Sequence, residues 1–314
     1  MVLLFWIAVL IGLAAGRRLG LLRSRFAVLA AAIAAAMWTP NLVWRAHHGW
    51  PQLTLAHQIS GEDPVVNRVG LIPFQLVLIG PLLSVVWIGG LLFLLRDRRA
   101  FRWIPFAYAG LLALMLVTAG KPYYAAGFYP LLVAAGAVWL ERGRIRPRLL
   151  AAGAAVSLAL SAAIALPLVP VESLHATPVP AVNKDAQETV GWPALVREVA
   201  AVYRMHPGAA IFTINYGEAG AIDRYGPAYG LPRAYSGHNG FADWGIPAEP
   251  HRLAIVVGVR WRPYLDRAFR DCRVARRIEN GVQLDNEEQG APIWVCRVRT
   301  SWRDAWPRLR HLDA

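Results

Sequence analysis

Apolar residues in the first 169 positions fall into six long runs separated by short polar gaps: 2–16, 26–44, 71–95, 103–119, 122–140 and 149–169. A helix needs about 20 apolar residues to cross about 30 Å of hydrocarbon, and each run meets or approaches that length. The pattern predicts about six transmembrane helices. The first run is short, but no basic segment precedes it and Arg17-Arg18 follows it directly, so it reads as a span and not a secretory leader. Past Val169 the pattern changes. Pro167, Pro170, Pro178 and Pro180 form a connector, and ordinary globular spacing follows. Apolar residues at helical intervals predict a helix over 189–203, and 217–225 and 264–269 also read as helices. Short apolar runs predict strands at 209–214, 253–259 and 293–298. Strands alternating with helices indicate a small α/β domain. The expected architecture is a polytopic α-helical membrane protein, with a transmembrane region over 1–169 and a C-terminal extracytoplasmic α/β domain over 170–314.

Charge orients this arrangement. The chain has 33 basic against 20 acidic residues, a net charge of +13, with 56% hydrophobic residues and 13 Trp. A basic balance is compatible with nucleic-acid binding, but here the arginines sit in alternate gaps between apolar runs. Arg17, Arg18, Arg23 and Arg25 fill the first gap. Arg96, Arg98, Arg99 and Arg102 fill the third, and Arg142, Arg144, Arg146 and Arg148 the fifth. The other two gaps hold only Arg45 and Arg68, and then Lys121. By the positive-inside rule the Arg-rich gaps face the cytoplasm, and the Lys121 turn and everything after Val169 lie outside, with no nucleic-acid partner. Met1 then also lies outside without a charged segment to direct it there, an arrangement natural for the back half of a longer chain. Cys272 and Cys296 fall in an oxidising compartment, where either a disulfide or two buried thiols fits.

Candidate chemistry is sparse. The turn Gly120-Lys121-Pro122-Tyr123-Tyr124 carries the only Lys before residue 180, and Pro122 is suited to a first helical position. A helix start beside an ammonium is a place to hold a phosphate; a lysine that merely snorkels to water is the plain alternative. The outer loop 45–57 holds His47, His48 and His57, without the Cys or paired carboxylates of a metal site. Glu62 and Asp63 read as a solvated turn. In the α/β domain three polar clusters stand out: Asn215-Tyr216-Gly217-Glu218, Ser236-Gly237-His238-Asn239-Gly240 with Asp243, and Asn286-Glu287-Glu288. Glu218 reads first as an acid favoured by a helix dipole. No nucleophile elbow accompanies Ser236, and no phosphate loop, dinucleotide fingerprint or Cys-x-x-Cys occurs, so no cofactor is implied.

Taken together, several motifs resemble the back half of the polytopic glycosyltransferases of family 39, the GT-C class that includes protein O-mannosyltransferases and lipid A aminoarabinose transferases. They are Thr39-Pro40-Asn41-Leu42-Val43-Trp44 with His48-Gly49-Trp50-Pro51, and Gly120-Lys121-Pro122-Tyr123-Tyr124 with Tyr129-Pro130. The outer-domain clusters, with Pro292-Ile293-Trp294-Val295-Cys296-Arg297, are similar to a bacterial subgroup. The resemblance implies transfer of a sugar from a polyprenyl-phosphate carrier to a glycan, lipid or protein acceptor on the outer face of the plasma membrane. It assigns donor-phosphate contact to Lys121, and a donor or acceptor path to Tyr123, Tyr124, His48 and His57. The family's catalytic acid lies in an earlier loop, and neither Glu62 nor Asp63 inherits it, so the catalytic residue is unknown and the chain alone is expected to be inactive. A membrane-anchored sugar-binding or sensing protein is the alternative. A transporter fits less well, since the apolar runs hold almost no ionisable residues.

Overall fold

The computed structural model describes residues 2–62, 64–96, 100–143 and 147–312. Asp63, Arg98, Arg99, Arg144 and Arg146 lie outside the described residues. The chain divides into two compact units, 1–163 and 164–313.

The first unit is helical throughout: α1 (Val2–Ala15), α2 (Arg25–His47), α3 (Pro51–Glu62), α4 (Pro64–Val77), α5 (Ser84–Arg96), α6 (Trp103–Thr118), α7 (Tyr129–Arg142) and α8 (Pro147–Ala165). Three stretches among the described residues are long and apolar enough to cross a membrane: Arg25–His47, Pro122–Arg142 and Arg148–Ala165. The runs at 2–16 and 103–119 form helices of 14 and 16 residues, about 21 and 24 Å long at 1.5 Å per residue. The run at 71–95, expected as one helix, is broken instead. The helices at Pro64–Val77 and Pro81–Arg96 meet at 84°. Gly80 takes φ +96°, open to glycine at little cost, and Pro81 follows with no N–H to continue the ladder. The Ser84 hydroxyl donates to the Leu76 carbonyl, which the break would otherwise leave without a partner.

The core of this unit lies among α1 and α4–α7, with Leu71, Trp87, Tyr108, Leu111, Met115, Phe128 and Leu132 buried. Glycines set the closest approaches. A Cβ on Gly136 would overlap the Val86 carbonyl, and one on Gly90 the Leu132 carbonyl, so α5 and α7 touch backbone to backbone. By contrast α2 buries none of its 23 residues, and Phe26 and Met37 are exposed.

In the second unit three short helices, α9 (Val171–Leu174), α10 (Val179–Val182) and α11 (Lys184–Glu188), lead into α12 (Trp192–Met205). There follow β1 (Ala210–Thr213), α13 (Tyr216–Tyr225), β2 (Ala234–Ser236), β3 (Leu253–Val257), α14 (Arg262–Leu265), β4 (Phe269–Arg277), β5 (Pro292–Val298) and α15 (Trp302–Leu309). The sheet order is β2-β1-β3-β5-β4. β1 runs parallel to β2 and β3, while β5 is antiparallel to both β3 and β4. Successive strand residues feed opposite faces, as the period of two requires. Ile211, Ile255 and Ile293 pack with α12 and α13, whereas Phe212, Val256 and Val298 pack with Tyr264, Trp302 and Trp306 of α14 and α15. The helix expected over 264–269 is the single turn α14, and Phe269 opens β4 instead, because its side chain completes the second core beside Phe212 and Trp302. β2 and α15 lay outside the expected elements as well.

Cys272 on β4 and Cys296 on β5 form a disulfide with 4.2 Å between Cα atoms, which settles the choice between a bond and two thiols. They lie 24 residues apart in sequence, and closing a loop of that size stabilises by about 3.5 kcal/mol in the chain-entropy account. Replacing both by Ala is therefore expected to lower the stability of this unit by about that amount, read by urea unfolding. An unchanged midpoint would show that the bond contributes nothing.

Candidate functional site

Lys121 ends the Gly120 turn after α6. Residues Pro122–Phe128 form a 3-10 helix, and α7 begins only at Tyr129. The expected α-helical start at Pro122 is thus a seven-residue 3-10 segment, whose i→i+3 bonds have poorer geometry than those of an α-helix. What orders the turn is α4. The Gln75 amide, buried, donates to the Pro122 and Leu71 carbonyls at 2.9 Å each and accepts from the Tyr129 hydroxyl at 2.8 Å. Asn67 donates to the Ala119 carbonyl at 3.1 Å, and Arg68 to those of Leu116 and Val117 at 2.9 and 3.3 Å. These cap the C-terminal end of α6, where intrahelical donors run out. Lys121 is half-buried, Tyr123 exposed and Tyr124 half-buried, and the two tyrosine rings meet edge to face at 4.9 Å. His48 closes α2: its ring stacks on Trp44 at 4.1 Å and its Nδ1 donates to the Trp44 carbonyl at 2.7 Å. His57 is exposed on α3, which starts at Pro51 after Gly49 and Trp50 turn the chain at positive φ. Lys121, Tyr123 and Tyr124 therefore share one turn, while His48 and His57 stand on other elements.

The second unit gathers chemistry more densely. Its three polar clusters, far apart in sequence, line one cleft of about 420 Å³ at the C-terminal ends of β1 and β3. The cause is topological. The chain leaves β1 toward α13 on one face of the sheet and leaves β3 toward α14 on the other, so a crevice opens between the two exits. From β1 come Asn215 and Glu218. The Asn215 side chain accepts from Gly217 N–H at 2.6 Å, and the Glu218 carboxyl accepts from Asn215 N–H at 3.2 Å, a reciprocal capping box on α13. Gly258, just past β3 at φ +80°, presses against the Glu218 carboxyl so closely that a Cβ would overlap it. Glu288 arrives from the 286–290 turn. Asn286 ties that turn to the Gln187 and Val190 carbonyls at 3.1 and 3.0 Å, and Arg260 to its Glu287 and Gln289 carbonyls at 2.9 and 2.6 Å. His238 receives Tyr216 N–H on Nδ1 at 3.4 Å and stacks on His311 at 4.8 Å. Tyr264 donates to the Leu309 carbonyl at 2.7 Å.

Burial dominates the electrostatics. Desolvation pushes Glu218 up to about 8, against the lowering effect of Asn215 N–H, with Glu288 and Glu287 raising it further. Desolvation likewise pushes Glu288 up to about 7, with Glu188 and Glu287 adding to it and Arg260 opposing. Burial also raises the Tyr264 phenol. The Glu288 Oε2 atom is buried with no hydrogen-bond partner among the described residues. Two carboxyls able to give or take a proton near neutrality, beside the exposed Trp261 indole, suit a ligand rich in hydroxyl groups. No group of three or more metal-ligating side chains occurs among the described residues. Ser236 Oγ accepts from His238 N–H at 3.2 Å, and Asp243 pairs with Arg310 at 2.6 Å, so this loop builds structure with both. Arg260, Trp261, Tyr264 and His311 escaped sequence reasoning. Only the position of 258–261 directly after a buried strand pointed there.

Compared with known proteins, the chain matches no family model, no curated protein and no solved structure.

Both raised carboxyls hold protons in the folded unit at pH values where unfolded carboxyls, ordinarily near 4.5, have lost them. The stability they contribute is therefore complete below about pH 4.5 and falls as pH rises toward 7–8, on the order of 1.4 kcal/mol per unit of raised pKa. Urea unfolding at stepped pH is expected to show this decline, and Glu218→Gln with Glu288→Gln to flatten it. A decline that persists in the double variant would place its origin elsewhere.

Proposed function

We propose that this chain is part of a membrane glycosyltransferase that moves a sugar from a polyprenyl-phosphate donor to an acceptor outside the plasma membrane. The turn around Lys121 carries the proposal: an ammonium at the end of an apolar helix, on a backbone locked by Gln75, Asn67 and Arg68. A lipid-linked donor presents its phosphate at the bilayer surface, and a fixed cation there stabilises the negative leaving group. As the anomeric carbon leaves the phosphate oxygen and bonds to the acceptor oxygen, charge builds on the phosphate, and Lys121 offsets it. The acceptor proton passes to a base that no residue of this chain is assigned to supply.

Two further observations favour a membrane setting with the second unit outside. An apolar helix of 23 residues with nothing buried is costly in water and natural in lipid. The Cys272–Cys296 bond belongs to an oxidising compartment. A membrane-anchored sugar-binding or sensing protein is the second reading, favoured by the Glu218–Glu288 cleft.

Transfer from a polyprenyl-phosphate sugar, assayed in the intact membrane-bound protein, distinguishes the readings. Lys121→Ala is expected to lower the rate about 100-fold or more. Lys121→Arg is expected to restore little, because a planar fork replaces a compact charge. Unchanged transfer would remove Lys121 from the site. Under the second reading no transfer occurs, and sugar binding is lost in Glu288→Ala but not in Lys121→Ala.

A further inference from the structure

A cavity of about 870 Å³ in the first unit runs along α7 from Leu131 to Arg142, with the end of α5 and the start of α6 in its wall. Phe93, Ile104, Leu131 and Ala135 belong to its apolar wall, and Arg96 and Arg142 stand at its rim. Its origin is local. Gly90 and Gly136 bring α5 and α7 into backbone contact, and beside Gly136 the small side chains of Ala134 and Ala135 line the cavity and leave interhelical space unfilled. Arg96 is the last residue of α5 and Arg142 the last of α7, so both guanidinium groups reach the same end. The Arg142 guanidinium lies over the Phe93 ring at 4.9 Å, which holds it at the cavity mouth. Neither arginine takes part in an ion pair among the described residues.

We infer that this cavity is a binding site for an anionic glycerophospholipid, its acyl chain between α5, α6 and α7 and its phosphate on Arg96 and Arg142. The occupant follows from the two halves of the site. An apolar chamber beside a pair of cations matches an amphiphile with a negative head, and guanidinium groups form paired, charge-assisted bonds to phosphate oxygens. Basic pockets between membrane helices on the cytoplasmic side are suited to anionic head groups. The negative dipole ends of α5 and α7 oppose an anion there, but α6 starts at the same rim, with Ile104 in the cavity wall, and offers its positive end. The inference rests on the membrane reading but not on sugar transfer. Arg142, where the phosphate is placed, is at the far end of α7 from Lys121, a helix of 14 residues or about 20 Å.

The test is lipid binding to the whole chain in neutral detergent, followed by native mass spectrometry and thermal unfolding. Phosphatidylglycerol, phosphatidylcholine, an isoprenoid phosphate and inorganic phosphate are the probes. Phosphatidylglycerol is expected to stay bound one to one and to raise Tm, and the other three to do neither to the same extent. Arg96→Gln with Arg142→Gln is expected to weaken phosphatidylglycerol binding ~10-fold or more. Ala135→Leu, which narrows the chamber and leaves both charges in place, is expected to weaken it with helix content retained. Undiminished binding in the variants that stay folded, equal binding of phosphatidylcholine, or a preference for the isoprenoid or inorganic phosphate would overturn the inference. None of these readouts involves sugar transfer, so its failure leaves the proposed activity standing, and the reverse holds too.

Discussion

A single buried amide, Gln75, holds the helical unit in the form that makes its turn interesting. In apolar surroundings an unpaired carbonyl is expensive, and backbone that leaves regular helix must find partners. The chain leaves regular helix twice here, at Gly80-Pro81 and across 119–128. Gln75 sits between the two. Its amide donates to α4's own Leu71 carbonyl and to Pro122, while its oxygen takes the Tyr129 hydroxyl at the start of α7. Arg68 and Asn67, both about two turns earlier on α4, satisfy the last carbonyls of α6. The broken run is thus what allows α4 to lie across the turn, since a straight span through 71–95 would not fold back at 84°.

The α/β unit shows the same economy with charge. Glu218 caps α13, yet it is buried against Gly258 and faces a second buried carboxyl, Glu288. A cap needs only a surface acid. Burial raises both pKa values, with Glu288 raising Glu218 further, and costs stability at neutral pH, a cost tolerated most often where a ligand or a proton is handled. Arg260 contributes by holding the turn that carries Glu288, with its guanidinium on two backbone carbonyls.

Much of the helical unit was legible because its signal is local. Long apolar runs name helices, and the runs at 26–44, 122–140 and 149–169 became the three stretches long enough to span. The break at Gly80-Pro81 was also written in two residues, but averaged hydropathy across 71–95 conceals it. The strands β1, β3 and β5 were visible as apolar runs. β2 has three residues, and β4 carries Arg270, Arg273, Arg276 and Arg277 at exposed positions, so neither stands out as hydrophobic.

The sequence by itself determined the two-part organisation, the apolar helices, the isolated Lys121 and the three polar clusters, because each depends on neighbours within a few residues. Only the tertiary structure decided that Asn215, Glu218, His238, Glu287 and Glu288 share a cleft with Arg260, Trp261 and His311, that Cys272 meets Cys296, and that Arg96 and Arg142 line one cavity. Those relations come from strand order, from the opposite exits of β1 and β3, and from glycines that let α5 and α7 touch. Contacts between residues distant in sequence leave no periodicity in the chain, so no local reading of it could recover them.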